Sequence, residues 1–266
     1  MTPHPKLLRS PLVYALAVVR FSPIALMKSY VSEIQEAMRL NDFPQFSEEN
    51  SHRIRFGPSG PMQRPIEEVR WIFKNNSGAK SAILTTNFFA FEVSEYDRFD
   101  SFESDVVELL SIVSEKSQMA NNMLEQVGLR YLDAVVPVDA LTAQECVQPS
   151  IRGLELDTLG IAPENGGFQY VVGGAVNDGQ FRLAVYPFRN GIFMPADISA
   201  TVSFEHLQFD KKTSGIVLDF DHTILSKGKS FSTELVKTQL KTAHSQIGQA
   251  FRSVVTTEAM EAWGES

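Results

Sequence analysis

Cysteine is almost absent from this chain: its 266 residues hold one, Cys146. A lone thiol excludes an intrachain disulfide framework and any cysteine-rich zinc site. Its neighbours, Ala143-Gln-Glu-Cys-Val-Gln148, supply no base and no cationic setting, so Cys146 reads as structural. Histidine is scarce as well. The five, His4, His52, His206, His222 and His244, show no ligand spacing and no neighbouring nucleophile-elbow serine. His244 reads as a satisfied residue beside an apolar helical stripe. Long apolar runs are missing. Pro11-Leu-Val-Tyr-Ala-Leu-Ala-Val-Val19 follows Lys6 and Arg9 much as a signal-peptide core would. It ends at Arg20 without a small-residue cleavage site and is far too short to span a bilayer. The expectation is a soluble, cytoplasmic protein with no membrane partner. Nor is there an excess of positive charge: 24 Lys and Arg face 32 Asp and Glu, a net charge of −8. That balance argues against a nucleic-acid partner. The strongest basic cluster, Arg53, Arg55, Arg64 and Arg70, is interrupted by Glu67 and Glu68 and reads as solvated surface. No glycine-rich loop leads into a helix to cradle phosphate; Asn165-Gly-Gly-Phe168 and Val172-Gly-Gly-Ala175 flank strand-like runs and read as hairpin turns.

What is present is ample core material, with 43% hydrophobic residues, arranged in two periods. Residues 11–21 form a valine-rich run suited to a strand covered on both faces. Ser22-Pro23 predicts a cap and first turn for a helix on which Met27, Tyr30, Val31, Ile34, Ala37 and Met38 recur at helical spacing. Alternating segments at 68–74, 80–86 and 88–93 predict a meander. From Phe99 the spacing of Phe102, Val106, Leu109, Val113, Ala120, Met123 and Val127 predicts a long helix with a break near Lys116 and its end at Gly128. A strand at 129–138 follows. The second half predicts strands at 168–172, 180–186, 202–209 and 215–222, with a turn at Asn177-Asp-Gly179, then a helix from Ser232 burying Val236, Leu240, Ala243, Ile247 and Phe251. Strands in runs with few helices between them indicate an α+β fold of mostly antiparallel meandering sheet with long packing helices. Two related sub-domains, 1–140 and 141–266, sharing a sheet or an incomplete barrel, fit this order; so does one continuous domain.

Gly215-Ile-Val-Leu-Asp-Phe-Asp-His-Thr-Ile-Leu225 looks catalytic. Its Asp-x-Asp-x-Thr core resembles the first motif of the haloacid-dehalogenase phosphotransferases. That resemblance implies Asp219 as nucleophile, Asp221 as general acid/base and magnesium as cofactor. The family needs further groups on later parallel strands, whereas after Thr223 the sequence offers one convincing helix and no βα unit. The structural reading is a strand with Val217, Asp219, Asp221 and Thr223 on a wet face and Ile216, Leu218, Phe220 and His222 on a covered one. Two carboxylates at i and i+2 share a face and could hold a metal between them, though two ligands are weak evidence.

Gly128-Leu-Arg-Tyr-Leu-Asp133 sets Arg130 and Asp133 on a central strand. An arginine there is either paired with an interior carboxylate or presented in a concave ligand-binding site, because an unpaired buried charge is expensive. The opening Ser10–Phe21 ("aPI-E-hhh-h-F"), this centre ("GLRYIN") and the end, Leu240 through His244, Ile247, Phe251 and Thr256-Thr-Glu258 to Trp263 ("LHEAIN-hF-ITDE"), together resemble a sporadically distributed bacterial family of uncharacterised proteins of about this length. Tyr14 replaces the family's usual acid and Asp133 its usual asparagine. The resemblance implies no catalytic residues. Its patchy distribution, typical of mobile or defence-associated genes, implies a partner-binding role. Three functional readings result. The leading one is a non-catalytic interaction or accessory protein of a bacterial defence or toxin–antitoxin-like system, without cofactor, binding a protein partner or itself. The second is a magnesium-dependent phosphohydrolase using Asp219 and Asp221. The third is a small-molecule or nucleotide sensor presenting Arg130.

Overall fold

The structure is a computed structural model describing residues 7–53, 56–57, 60–61, 66–153, 160, 168–176, 179–207, 209–210 and 212–264. In chain order its elements are β1 (Leu12–Phe21), α1 (Met27–Leu40), β2 (Gln45–Arg53), β3 (Phe56–Gly57), β4 (Gly60–Pro61), β5 (Ile66–Lys74), β6 (Lys80–Leu84), β7 (Phe88–Val93), α2 (Phe99–Ser117), β8 (Met123–Val135), β9 (Tyr170–Val176), β10 (Gly179–Phe188), β11 (Gly215–Ser230), α3 (Thr233–Val254) and α4 (Thr257–Ala262). Nine strands form one sheet in the order β2-β5-β6-β7-β1-β8-β11-β10-β9, while β3 and β4 pair separately. Every neighbouring pair in the large sheet is antiparallel. The fold is α+β, with an open sheet that does not close into a barrel.

The topology repeats itself about the central β1–β8 pair. Each half starts at the centre, crosses to the edge, meanders back until its last strand joins the central one, and then enters a long helix. Strands of the two halves nevertheless hydrogen-bond into one continuous sheet through β1–β8.

One face carries the helices. Strand alternation turns Ala15, Ala17, Val19 and Phe21 of β1 toward them. They meet Met27, Ile34 and Met38 of α1, Val106, Leu109 and Val113 of α2, and Val236, Leu240 and Ile247 of α3. Helix α2 lies between α1 and α3. Fully buried Phe21, Phe73, Phe89 and Phe91 each contribute about 1.5–3 kcal/mol relative to exposure. The opposite face has no helix among the described residues. It is covered in part by the β10–β11 connection, residues 189–214, which sets Phe193 and Val202 against Tyr14, Leu132, Phe188 and Val217.

Several boundaries differ from the sequence expectations. Helix α1 begins at Met27, not at Pro23, because Ser22 Oγ takes hydrogen bonds from Asn122 Nδ2 and the Met123 amide, and Ile24 N donates to the Thr86 carbonyl. These bonds tie residues 22–24 to the end of the sheet. Helix α2 ends at Ser117 with Gln118 left-handed (φ 54°), so Met123, Val127 and Gly128 belong to β8. Residues 202–207 form no strand. Gly173 and Gly174 lie inside β9, not in a hairpin turn. Positions 165–167 and 177–178, with Arg55, Arg64, His4 and Lys6, lie outside the described residues. Strand β11 runs on to Ser230. Cys146 is buried and burial raises its thiol pKa.

Close backbone approach imposes glycine at Gly215, where a Cβ would overlap the Val135 carbonyl oxygen. A Cβ on Gly174 would meet nothing within 4 Å. Gly215→Ala is therefore expected to cost about 1–3 kcal/mol and Gly174→Ala to stay within about 0.5 kcal/mol of wild type, both read by chemical denaturation.

Candidate functional site

Strands β8, β11 and β10 meet on the open face around one carboxylate. In register, Asp221 of β11 lies opposite both Arg130 of β8 and Arg182 of β10, while Asp219 lies opposite Leu132 and Ala184. Both guanidinium groups nevertheless reach diagonally to Asp219, a distance long side chains cover across neighbouring strands. Arg130 Nε and Nη2 donate to the two oxygens of Asp219, each at 2.7 Å. Arg182 Nη1 adds a bond of 3.2 Å. Asp219 is 0% exposed. The covering connection supplies Asp197, which accepts from Arg130 Nη1 at 2.7 Å and from Nη2 at 3.2 Å. Arg130 is thus clamped between two carboxylates in fork geometry, the arrangement that best suits guanidinium.

The charges respond accordingly. Burial alone would lower the Arg130 pKa, but the hydrogen bonds it donates to Asp219 and Asp197 outweigh that and raise it. The bond from Arg130 holds the Asp197 carboxyl below its usual range. Burial pushes Asp221 up, opposed by Arg130. Asp221 is half-buried and, with Arg182, Gln180, Thr223 and Gly173, lines a groove of about 400 Å³ beside β9. The Tyr186 hydroxyl, buried among the same charges, has no hydrogen-bond partner among the described residues.

A second polar cluster holds the cover down further along the same face. Tyr14 Oη donates to Glu92 at 2.6 Å. Glu92 also accepts from the Thr201 amide at 2.6 Å and from the Thr201 hydroxyl, which lies 2.6 Å from Ser81 Oγ.

The faces of β11 are as the alternation predicted, but the face holding Asp219 is not wet. Residues 189–214 and two arginines enclose it. This arrangement does not fit a magnesium-dependent nucleophile. Both Asp219 oxygens already bond guanidinium groups, a cation there would meet two positive charges, and the neighbouring strands are antiparallel. Among the described residues no three His, Cys, Asp or Glu side chains converge as a metal-holding group.

Arg130 and Asp133, read together from the sequence, are not brought together. Three positions apart on a strand, they project from opposite faces. Asp133 lies on the helix side, 5% exposed, at a pocket formed with Leu12, Tyr96, Tyr131, His244, Ile247 and Phe251 among others. No described cation pairs with it, and burial raises its carboxyl to about 8. His244 stacks on Phe99 at 3.9 Å between ring centres, and its Nδ1 lies 3.1 Å from the Tyr131 hydroxyl.

Arg182, Asp197, Tyr186 and Glu92 were missed. Arg182 and Tyr186 share the alternation phase of a strand already recognised at 180–186, so pairing that strand with 215–222 would have placed Arg182 near Asp219. Asp197 sits in irregular chain and gave no periodic signal.

Fold and site together define an open antiparallel α+β protein with a buried arginine–carboxylate cluster. No protein-family model matches the chain, and no curated protein sequence matches it.

Two stability tests follow from these charges. Arg130→Met leaves Asp219 enclosed with Arg182 alone and is expected to cost about 3–5 kcal/mol. Adding Asp219→Leu should restore most of that loss in denaturant titrations. At Asp133 the unfolded carboxyl ionises near its ordinary value while the folded one stays neutral up to about 8. The unfolded state therefore binds fewer protons across that window, and stability falls as pH rises through it. Asp133→Asn should remove this component, so its stability relative to wild type should climb from about pH 4 to pH 8 and level off above.

Proposed function

We propose that this protein is a non-catalytic interaction module that associates with a second copy of itself by strand addition at β9. The observation carrying this reading is the contrast between the two edges of the sheet. Strand β2 is Gln45-Phe-Ser-Glu-Glu-Asn-Ser-His-Arg53, rich in the charges that discourage edge pairing. Strand β9 is Tyr170-Val-Val-Gly-Gly-Ala-Val176, without a charge. It pairs with β10 along one side only among the described residues. Its Val171 and Val172 are 53% and 46% exposed.

A twofold axis through Gly173 would set Val171 opposite Ala175 and Val172 opposite Gly174, antiparallel and free of like charges, as an isologous dimer requires. Each backbone donor and acceptor along the edge away from β10 gains a partner in that arrangement. Service in a bacterial defence or toxin–antitoxin-like system rests on the family resemblance alone. The occupied carboxylate of Asp219 supports a non-catalytic reading over phosphoryl transfer.

Light scattering and sedimentation should give a dimeric mass for wild type and a monomeric mass for Val171→Lys, with unchanged circular dichroism. A wild type that stays monomeric at all concentrations, or a dimer indifferent to the lysine, would overturn the proposal.

A further inference from the structure

The Asp133 pocket is independent of β9 and of the arginine cluster. It lies at the end of the helix face, between β8, α3, α4 and the chain leading into β1. A bulge between Leu12 and Tyr14 puts Leu12 in its wall, beside Leu7 and Met260. Tyr96, Tyr131 and Phe251 supply aromatic surface. The Tyr96 and Tyr131 hydroxyls lie 3.1 Å apart, and Tyr131 reaches His244 at the same distance. These hydroxyls are engaged with one another and with the imidazole, and the pocket's one carboxylate makes no hydrogen bond or ion pair among the described residues. Arg252 also lines the pocket, its Nη1 donating to the Gly248 carbonyl at 3.3 Å.

A nearly enclosed carboxyl group without a partner among the described residues is costly to retain for packing alone; a leucine would fill the space without burying a polar group. Aromatic walls with one carboxylate are the recognition chemistry of organic cations. The volume, about 140 Å³, matches a compact body, since a cavity of roughly 150 Å³ admits a benzene ring. We propose that this pocket binds a small organic ammonium ion, its charged head on Asp133 and its apolar body against Tyr131, Ile247 and Phe251.

Binding of a cation draws the proton off Asp133, so affinity rises with pH toward 8. Tyr96, Tyr131, His244 and Arg252 are the other titratable groups lining the pocket. Two-dimensional NMR titration with n-butylammonium, n-butanol and butyrate separates charge from shape. Saturable shifts at Tyr131, Asp133 and His244 are expected with the ammonium ion alone, tightening as pH is raised from 6 to 8 and lost in Asp133→Asn. Equal or stronger response to butanol or butyrate, or no saturable response to the ammonium ion in wild type, would overturn the proposal. The comparison of three ligands on wild-type protein decides the matter even where Asp133→Asn disturbs folding.

Discussion

The carboxylate of Asp219 is fully enclosed in the sheet, and an isolated ionised carboxylate in such a place costs several kcal/mol or more. What offsets that cost is the strand register. It sets Arg130 and Arg182 one diagonal step away on either side. Two guanidinium groups on one carboxylate leave an excess positive charge, and Asp197 from the covering connection supplies the missing negative one. The ion cluster and the cover therefore depend on each other. Removing Asp197 from Arg130 would release one anchor of the cover, and uncovering the face would let water compete for Asp219.

The same logic explains why residues 189–214 are held without forming strands. Their attachment is by point contacts: Asp197 on Arg130, Thr201 on Glu92, and Phe193 and Val202 in the apolar patch around Tyr14 and Phe188. Glu92 is itself buried, and its Tyr14 and Thr201 donors share it between sheet and cover. A sheet face that would otherwise be solvated becomes an interior through polar anchors at Asp197, Thr201 and Ser203 and one apolar cluster. The helix face relies on area instead, with side chains from three helices packed on alternating strand positions.

Much of this was legible from periodicity. The period of two placed β1, β6, β7 and β11 and told which side chains of β11 share a face. The period of 3.6 placed α1 and α3. What was lost lay where local pattern and long-range contact disagree. Ala120, Met123 and Val127 keep helical spacing, yet Gln118 turns the chain left-handed and the following residues pair with β1 and β11. Ser22 has the chemistry of a helix cap but caps nothing, because Asn122 and Met123 reach it first. The partnership of Arg130 with Asp219, 89 positions apart, depends on strand order, and no local pattern carries strand order. Asp133 looked like Arg130's neighbour only because sequence distance was read without the parity that sends odd spacings to opposite faces.

The two halves of the sheet share a layout but not a finish. The first half leads from its centre through α1 to a charged edge at β2, and α1 packs against α2 and touches β5. The second half has no described helix in the place of α1. The long link from β8 to β9 carries only a short turn of helix among its described residues, and the β10–β11 connection crosses to the other face. That difference concentrates what is chemically unusual in one half. The enclosed arginine cluster, the groove at Asp221 and the uncharged edge at β9 all lie on β8 to β11. An edge strand without charge is a liability that a monomer has reason to blunt. Among the described residues β2 meets that need with charge and β9 does not, and this contrast is what the proposed self-association rests on.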